Sequence, residues 1–375
     1  MRSPKSGEGR SRSQPVCRDE SVASAETSSG RDRGGGPARR IRFGVAGVGK
    51  IGSRHVAVID ADPGAEIVAV CDIDPEARQR VALLRPGLPV FEELGSMLQG
   101  PELDVVSVCT PHALHARMSI EIAAAGRHVL VEKPMSLTSG EAERMIAAAH
   151  DAGVLLMVVK QNRYNIPVVQ VRKLVEEGGL GRLFLAECSI LWNRDAAYYA
   201  NSPWRGRKAM EGGALYTQAS HFIDLLIWFL GDVVDAKGVL SRRMHDIEIE
   251  DCGVASLVFS SGATAGLTWT TCTHERNFKG SITLIGERGT VRIGGEYLNR
   301  IEYWSVSGHL PPAEIFSDPP PNRYEYYEGT SSNHDKVIRD VVRDLVDGRH
   351  RLVDGKEAAA TVRAIERIYA GCRYV

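Results

Sequence analysis

Ile41-Arg-Phe-Gly-Val-Ala-Gly47-Val-Gly49-Lys-Ile-Gly52-Ser-Arg-His55 decides the fold of this 375-residue chain. An apolar, β-branched run stops at a glycine, and two more glycines follow at G-x-G-x-x-G spacing. Residues from Ser53 to Ile59 then suit a helix. In this arrangement the first glycine makes a tight strand-to-helix turn and the second lets backbone approach a pyrophosphate. The third lets helix and strand pack closely. Gly47, Val48, Gly49, Lys50, Ile51 and Gly52 are therefore the expected phosphate-binding turn, with the phosphates at the positive end of the helix dipole. The next apolar run, Glu66-Ile-Val-Ala-Val-Cys-Asp72, ends in a carboxylate at the distance needed to hold ribose hydroxyls. Asp72 also repels a 2′-phosphate, so the expected cofactor is NAD rather than NADP.

Working outward, strand and helix patterns alternate from residue 41 to about 160. Asp104 to Thr110, Gly126 to Glu132 and Val154 to Val159 read as further strands, with helices at Ala116 to Ala125 and Ser139 to Ala152. The alternation implies a parallel sheet covered on both faces. It is counted as the six strands of a doubly wound nucleotide-binding domain, five of which are located here. After residue 160 longer strands dominate: Leu183 to Trp192, Val233 to Arg242, Val254 to Phe259, Thr264 to Thr273, Ser281 to Ile285 and Thr290 to Ile293. Their alternation and glycine turns predict an open, largely antiparallel sheet with one exposed face. A proline-rich loop spans Leu310 to Pro321, and two helices close the chain. The fold class is α/β, with a Rossmann domain over 41–160 and a substrate-binding and oligomerisation domain over 161–375.

Residues 1–40 carry nine basic and five acidic side chains and almost no large apolar group. Such a segment cannot offset its ordering entropy and is expected to be disordered; a nucleic-acid tail is the weaker reading. A net charge of −1 gives no electrostatic reason to expect nucleic acid or an anionic membrane surface. No apolar run approaches the roughly 20 residues of a membrane span. Seven scattered cysteines with no C-x-x-C pair point to a reducing cytoplasm, and to neither a disulfide framework nor a structural metal.

Ligands of open α/β sheets lie beyond the carboxyl ends of the strands. Three such ends carry polar groups: Thr110-Pro111 with His112 and His115, Glu132-Lys133-Pro134, and Lys160-Gln-Asn-Arg163-Tyr164. A lysine directly after a buried strand falls near the nicotinamide end of the cofactor, where it can stabilise a developing alkoxide. A second constellation is Glu211-Gly-Gly-Ala-Leu-Tyr-Thr217-Gln-Ala-Ser-His221-Phe-Ile-Asp224. Thr217 and His221 are four apart and share one helix face. His221 is either a satisfied core histidine or a general base.

With these motifs together, the chain resembles the glucose–fructose oxidoreductase/inositol dehydrogenase (Gfo/Idh/MocA) family from Ile41 onward. The marks are the glycine turn, Cys109-Thr110-Pro111 with His115, Glu132-Lys133-Pro134, and Gly212-Gly213 followed by His221 and Asp224. The resemblance implies NAD as cofactor, with Thr110, Pro111, His115 and Glu132 beside it. It implies that Lys133 and His221 are catalytic, with hydride passing between a sugar carbon and nicotinamide, and that the open sheet makes a homodimer or homotetramer. Inositol dehydrogenases carry an aspartate four residues before the histidine, where this chain has Thr217. The chain is more similar to members acting at C3 of nucleotide-linked sugars, such as UDP-N-acetylglucosaminuronate 3-dehydrogenases. On that likeness Arg163, Tyr164, Arg194 and Arg205 are candidate contacts to a diphosphate or uronate, and Trp192 or Trp204 to a uracil or sugar face. Thr217 is expected to orient substrate or a water. Alternatives are a free cyclitol, a hexose phosphate or an aminoglycoside as substrate, or a non-catalytic sensor.

Overall fold

A computed structural model describes residues 39–313, 321–323, 328–349 and 351–375, with the backbone alone for 321–323 and 328–331. The expected disorder of the N-terminal stretch lies outside the described residues up to residue 38, as does most of the proline-rich loop. Arg39–Val375 is one compact unit.

The first sheet has β1 (Ile41–Ala46), β2 (Ala65–Cys71), β3 (Val90–Phe91), β4 (Val105–Val108), β5 (His128–Val131) and β6 (Leu156–Val158). Their order is β3-β2-β1-β4-β5-β6 and every pairing is parallel. The sixth strand, which the sequence pattern left unlocated, is β3. At two residues it is too short to show a period. Strand order reverses between β1 and β4, which opens a crevice beyond their carboxyl ends. The covering helices start where the side chains provide for it: Asp74 accepts from the Glu76 amide at 3.0 Å, and Thr138 forms a reciprocal capping box with Glu141.

The second sheet has β7 (Leu183–Leu191), β8 (Val233–Ser241), β9 (Cys252–Phe259), β10 (Thr264–Thr270), β11 (Lys279–Gly286), β12 (Gly289–Gly294) and β13 (Arg300–Val306). A short hairpin, β14 (Pro321–Arg323) and β15 (Glu328–Ser331), follows before β16 (Cys372–Tyr374). The sheet order is β13-β12-β11-β7-β10-β9-β8-β16. Its pairings are antiparallel except β7 with β10 and β8 with β16. Burial alternates along β9 and β10, as one covered and one open face require. The helix Ser220–Leu230 lies on the covered face, where Phe222, Ile223, Leu225 and Leu226 are fully buried. Each such side chain contributes about 1.5–3 kcal/mol by leaving water. Phe184, Val234, Val254 and Tyr303 are exposed.

One late helix packs across the expected division of the chain. The helix His334–Asp347 follows the second sheet in sequence, yet its apolar stripe packs on the first sheet. Val337, Ile338 and Val341 join Phe43, Val45 and Ile59 in one core. The amphipathic period shows that the helix buries a face but cannot say against what. Ile338→Ala should therefore destabilise the nucleotide-binding sheet by about 2–5 kcal/mol. Urea unfolding monitored together with NAD binding checks this, and unchanged stability would remove this helix from that core.

Candidate active site

The turn after β1 has the predicted geometry. Gly47 has φ +86, and a Cβ there would come within 2.9 Å of the Cys109 carbonyl. A Cβ on Gly52 would lie 1.8 Å from the Gly47 oxygen, so helix Lys50–Ala61 approaches the strand as closely as backbone allows. A Cβ on Gly49 would meet nothing within 4 Å, because the space before this helix start is open. The helix has no side-chain cap and no acid in its first turn, so its positive end faces that space. The residues present thus fit a pyrophosphate. Asp72 closes the turn: Oδ2 accepts from the Val48 amide at 2.7 Å and Oδ1 from the Asp74 amide at 2.9 Å. Val48 is itself fully buried and contributes backbone only.

From there a cavity of about 920 Å³ runs across the carboxyl ends of the first sheet to the helix that carries His221. Gly47, Gly49, Lys50, Ile51 and Asp72 line it, and so do Thr110, Pro111, His115, Glu132, Lys133, Thr217 and His221.

Lys133 follows β5, and its Nζ donates to the Thr217 carbonyl at 2.8 Å. Its enclosure pushes the ammonium pKa down, and Arg194 and Lys160 add to this while the Glu132 and Glu211 carboxylates oppose it; the result is about 8. Glu132 is among the residues that line the cavity, and its carboxylate is held by protein groups. Its Oε1 takes His55 Nε2 at 3.0 Å and His334 Nε2 at 3.2 Å, and its Oε2 accepts from the Lys133 amide at 3.1 Å. Burial would raise this carboxyl, but the hydrogen bonds from His334 and His55 outweigh it and hold the group well below the usual range. His115 is likewise committed to protein, with Nδ1 2.7 Å from the Pro134 carbonyl and Nε2 2.8 Å from that of Thr110. Both residues fix the two turns that flank the cavity.

His221 sits at the start of the helix Ser220–Leu230, just after a π-helical turn, Leu215–Ala219. Such wide turns recur at functional sites. Burial, followed by the Lys133 and Lys160 ammoniums, drives its pKa well below the ordinary imidazole value. The ring is therefore neutral, the form a base requires. The Gln161 side-chain nitrogen lies 3.1 Å from Nε2. Thr217 does share the cavity wall with His221, but its hydroxyl donates to Glu211 Oε1 at 2.6 Å. Orienting a substrate is thus not its main engagement.

The arginine and aromatic candidates divide. Arg194, Arg205, Trp192 and Trp204 line the cavity. Arg194 is buried, donates to Gln218 Oε1 at 3.0 Å and lies 5.1 Å from the Trp192 ring centre. Arg205 lies 4.0 Å from the Tyr198 ring centre. Trp192 is almost wholly inside the core against Phe222, whereas Trp204 packs edge-on to His112 at 4.9 Å. Arg163 and Tyr164 do not line the cavity, which corrects their expected role. Arg163 pairs with both Asp224 oxygens at 2.8 and 2.9 Å and with Glu357, and Tyr164 donates to Asp340 at 2.8 Å. A guanidinium so close in sequence to the site finds an acid that the fold delivers from 61 residues away. The roles of His55, His334, Gln161 and Glu211 were not read from sequence. Of these, His55, Gln161 and Glu211 stood inside stretches that attracted notice, and His334 did not.

A parallel nucleotide sheet whose crevice ends at a lysine and a neutral histidine is the layout of an NAD-dependent oxidoreductase. The chain belongs to the Gfo/Idh/MocA family: the profile of the oxidoreductase family's NAD-binding Rossmann fold matches residues 41–160, and that of its C-terminal domain matches 168–292. The WlbA dehydrogenase of Bordetella pertussis, solved with NADH and UDP-GlcNAcA, is similar at 36% identity over 89% of this chain and 96% of that one, with a TM-score of 0.81. The WlbA dehydrogenase of Chromobacterium violaceum, solved with the same two ligands, is 33% identical over 89% and 94%, also at 0.81. Among curated relatives, a 1-carboxy-3-chloro-3,4-dihydroxycyclohexa-1,5-diene dehydrogenase of Comamonas testosteroni is 30% identical over 66% of this chain and 63% of its own length. Among the described residues no helix is long and apolar enough to cross a membrane.

Asp72 leaves lone pairs for ribose hydroxyls, and the neighbouring guanidinium, Arg78, is engaged by the Asp72 and Ile73 carbonyls at 2.8 and 3.0 Å. NAD should bind more tightly than NADP, and Asp72→Ala should weaken NAD binding roughly ten- to a hundredfold, the worth of a hydrogen bond to a charged group. Fluorescence titration with both cofactors checks it; tighter NADP binding by the unaltered chain contradicts the assignment.

Proposed function

We propose that this protein oxidises a secondary hydroxyl of a sugar, C3 of a nucleotide-linked hexose, in aminosugar biosynthesis. The observation that carries the reading is the shared cavity. Lys133 and His221 line the same cavity as the glycine turn and Asp72, and Arg194, Arg205 and Trp204 line it too. Guanidinium groups suit a diphosphate or a uronate carboxylate, and an indole suits a base or sugar face. The likeness to two dehydrogenases solved with UDP-GlcNAcA supports the same substrate class here.

NAD, when bound, supplies the carbon that accepts the hydride. The chain holds the pyrophosphate at Gly47–Gly52 and the ribose at Asp72. His221, neutral and poised, takes the hydroxyl proton. Lys133 donates to the same oxygen and stabilises its growing negative charge. The open face of the second sheet, with Phe184, Val234, Val254 and Tyr303 exposed, is assigned to a homodimer or homotetramer contact. Six cysteines are free among the described residues, which supports a cytoplasmic location.

Nucleotide sugars, cyclitols and aminoglycosides compared by NADH formation test the substrate class. A UDP-linked uronate should give the highest kcat/KM, and a cyclitol or aminoglycoside in that place would overturn it. Lys133→Met and His221→Ala should each lower kcat by roughly 10²–10⁴-fold. Lys133 is charged below about pH 8 and loses its proton above it, so kcat/KM for oxidation should fall as pH rises through that value. That alkaline limb should be missing from the residual activity of Lys133→Met.

A further inference from the structure

Glu211 ends the short helix Lys208–Glu211 and is almost completely buried, at 1% exposure. A carboxylate so enclosed demands partners, and the ones it has converge on the catalytic lysine. Its Oε1 accepts from the Thr217 hydroxyl at 2.6 Å, and its Oε2 accepts from the Gly206 amide. Its backbone oxygen is 3.0 Å from His112 Nδ1, which anchors this corner to the turn after β4. Thr217 then passes the constraint on, because its carbonyl accepts from Lys133 Nζ at 2.8 Å.

Thr217 has two routes for its hydroxyl proton, Glu211 at 2.6 Å and the Gly213 carbonyl at 3.4 Å. A hydroxyl has one proton, and the shorter contact to an acid takes it. Both Glu211 oxygens are acceptors, an arrangement that suits the ionised form. Burial opposes that form and leaves the carboxyl above its ordinary value, although the Thr217 and Gly206 hydrogen bonds and the charges of Arg205 and Lys133 offset part of the rise. Lys133 in turn faces Glu132 and Glu211 as anions and Arg194 and Lys160 as cations. Glu132 is already shared by two histidines and the Lys133 amide. Glu211 is then the carboxylate whose removal leaves the lysine facing the two cations with a single, already committed counter-charge.

We propose that Glu211 is a positioning residue of the catalytic centre: its carboxylate fixes Thr217, and through the Thr217 carbonyl the Lys133 ammonium, while setting a buried negative charge opposite that ammonium. The inference rests on Lys133 being catalytic. It gives the short helix and the glycine pair after it a purpose beyond packing, since Gly212, with φ +89, turns the chain so that Thr217 comes back over Glu211.

Glu211→Gln keeps the volume and an acceptor oxygen but removes the charge. Its kcat should fall roughly ten- to a hundredfold, the cost of a misplaced catalytic group, with NAD affinity unchanged. The alkaline limb of kcat/KM should move to lower pH, because losing an anion makes the Lys133 proton easier to remove. Glu211→Asp should restore the limb. Thr217→Val, which keeps the shape and the carbonyl, should lower kcat with the limb in place, and it serves as the test should Glu211→Gln fail to fold. Wild-type kcat in either Glu211→Gln or Thr217→Val overturns the proposal, and so does a slower Glu211→Gln enzyme whose limb stays where it was. Lys133→Met run alongside separates the two readings. If it retains turnover, the catalytic lysine itself is wrong; if it is inactive while Glu211→Gln behaves as wild type, only the role of Glu211 falls.

Discussion

The structure depends on one buried carboxylate. Glu132 is 5% exposed and receives His55 from the first helix, His334 from the penultimate helix and the Lys133 amide from its own turn. A carboxylate only accepts, so both imidazoles present a protonated Nε2, and the two Nδ1 atoms have no hydrogen-bond partner among the described residues. An ion taken out of water costs several kcal/mol unless its lone pairs are satisfied, and three segments far apart in sequence must arrive together to do so. Their arrival fixes the start of the Lys133 side chain. The same contact ties the late helix to the nucleotide sheet, where Val337, Ile338 and Val341 bury their side chains.

A second ionic knot positions the other half of the site. Asp224, on the helix that carries His221, binds Lys160 at 3.0 Å and Arg163 through both oxygens. Burial would raise its carboxyl, but the two cations hold it far below the usual range. Lys160 and Arg163 follow β6, the last strand of the first sheet, so the knot locks the His221 helix to the edge of the nucleotide crevice. Burial, then the Lys133 and Lys160 ammoniums, push the His221 pKa down. Interactions that look structural therefore bear on the charge state of groups that line the cavity.

Much of this was legible in the chain, because some residues admit one physical use. Gly47 needs a positive φ, Gly52 has no room for a Cβ, and Asp72 ends a buried strand at the spacing a ribose requires. Lys133 after a buried strand and His221 behind a glycine pair stood out for the same reason, and both line the cavity. Arg163 misled because a guanidinium beside a site serves substrate or structure equally well. Its destination depends on which acid the fold brings near. Glu132 and His115 stood in the right motif and line the cavity, but the partners of their polar atoms, His55, His334 and two carbonyls, could not be read from it.

What the sequence by itself determined is the period-two and period-3.6 burial, the glycine turn and the polar residues at strand ends, all set by neighbours within a few positions. Only the tertiary structure decided how charges separated by tens to hundreds of residues pair. His55 meets Glu132 across 77 positions and His334 meets it across 202, while Glu211 is linked by hydrogen bonds to Lys133 through the turned-back Thr217. Local pattern carries no record of such pairings, because the cost of taking each partner out of water is offset only when both are brought together. That requires the completed core.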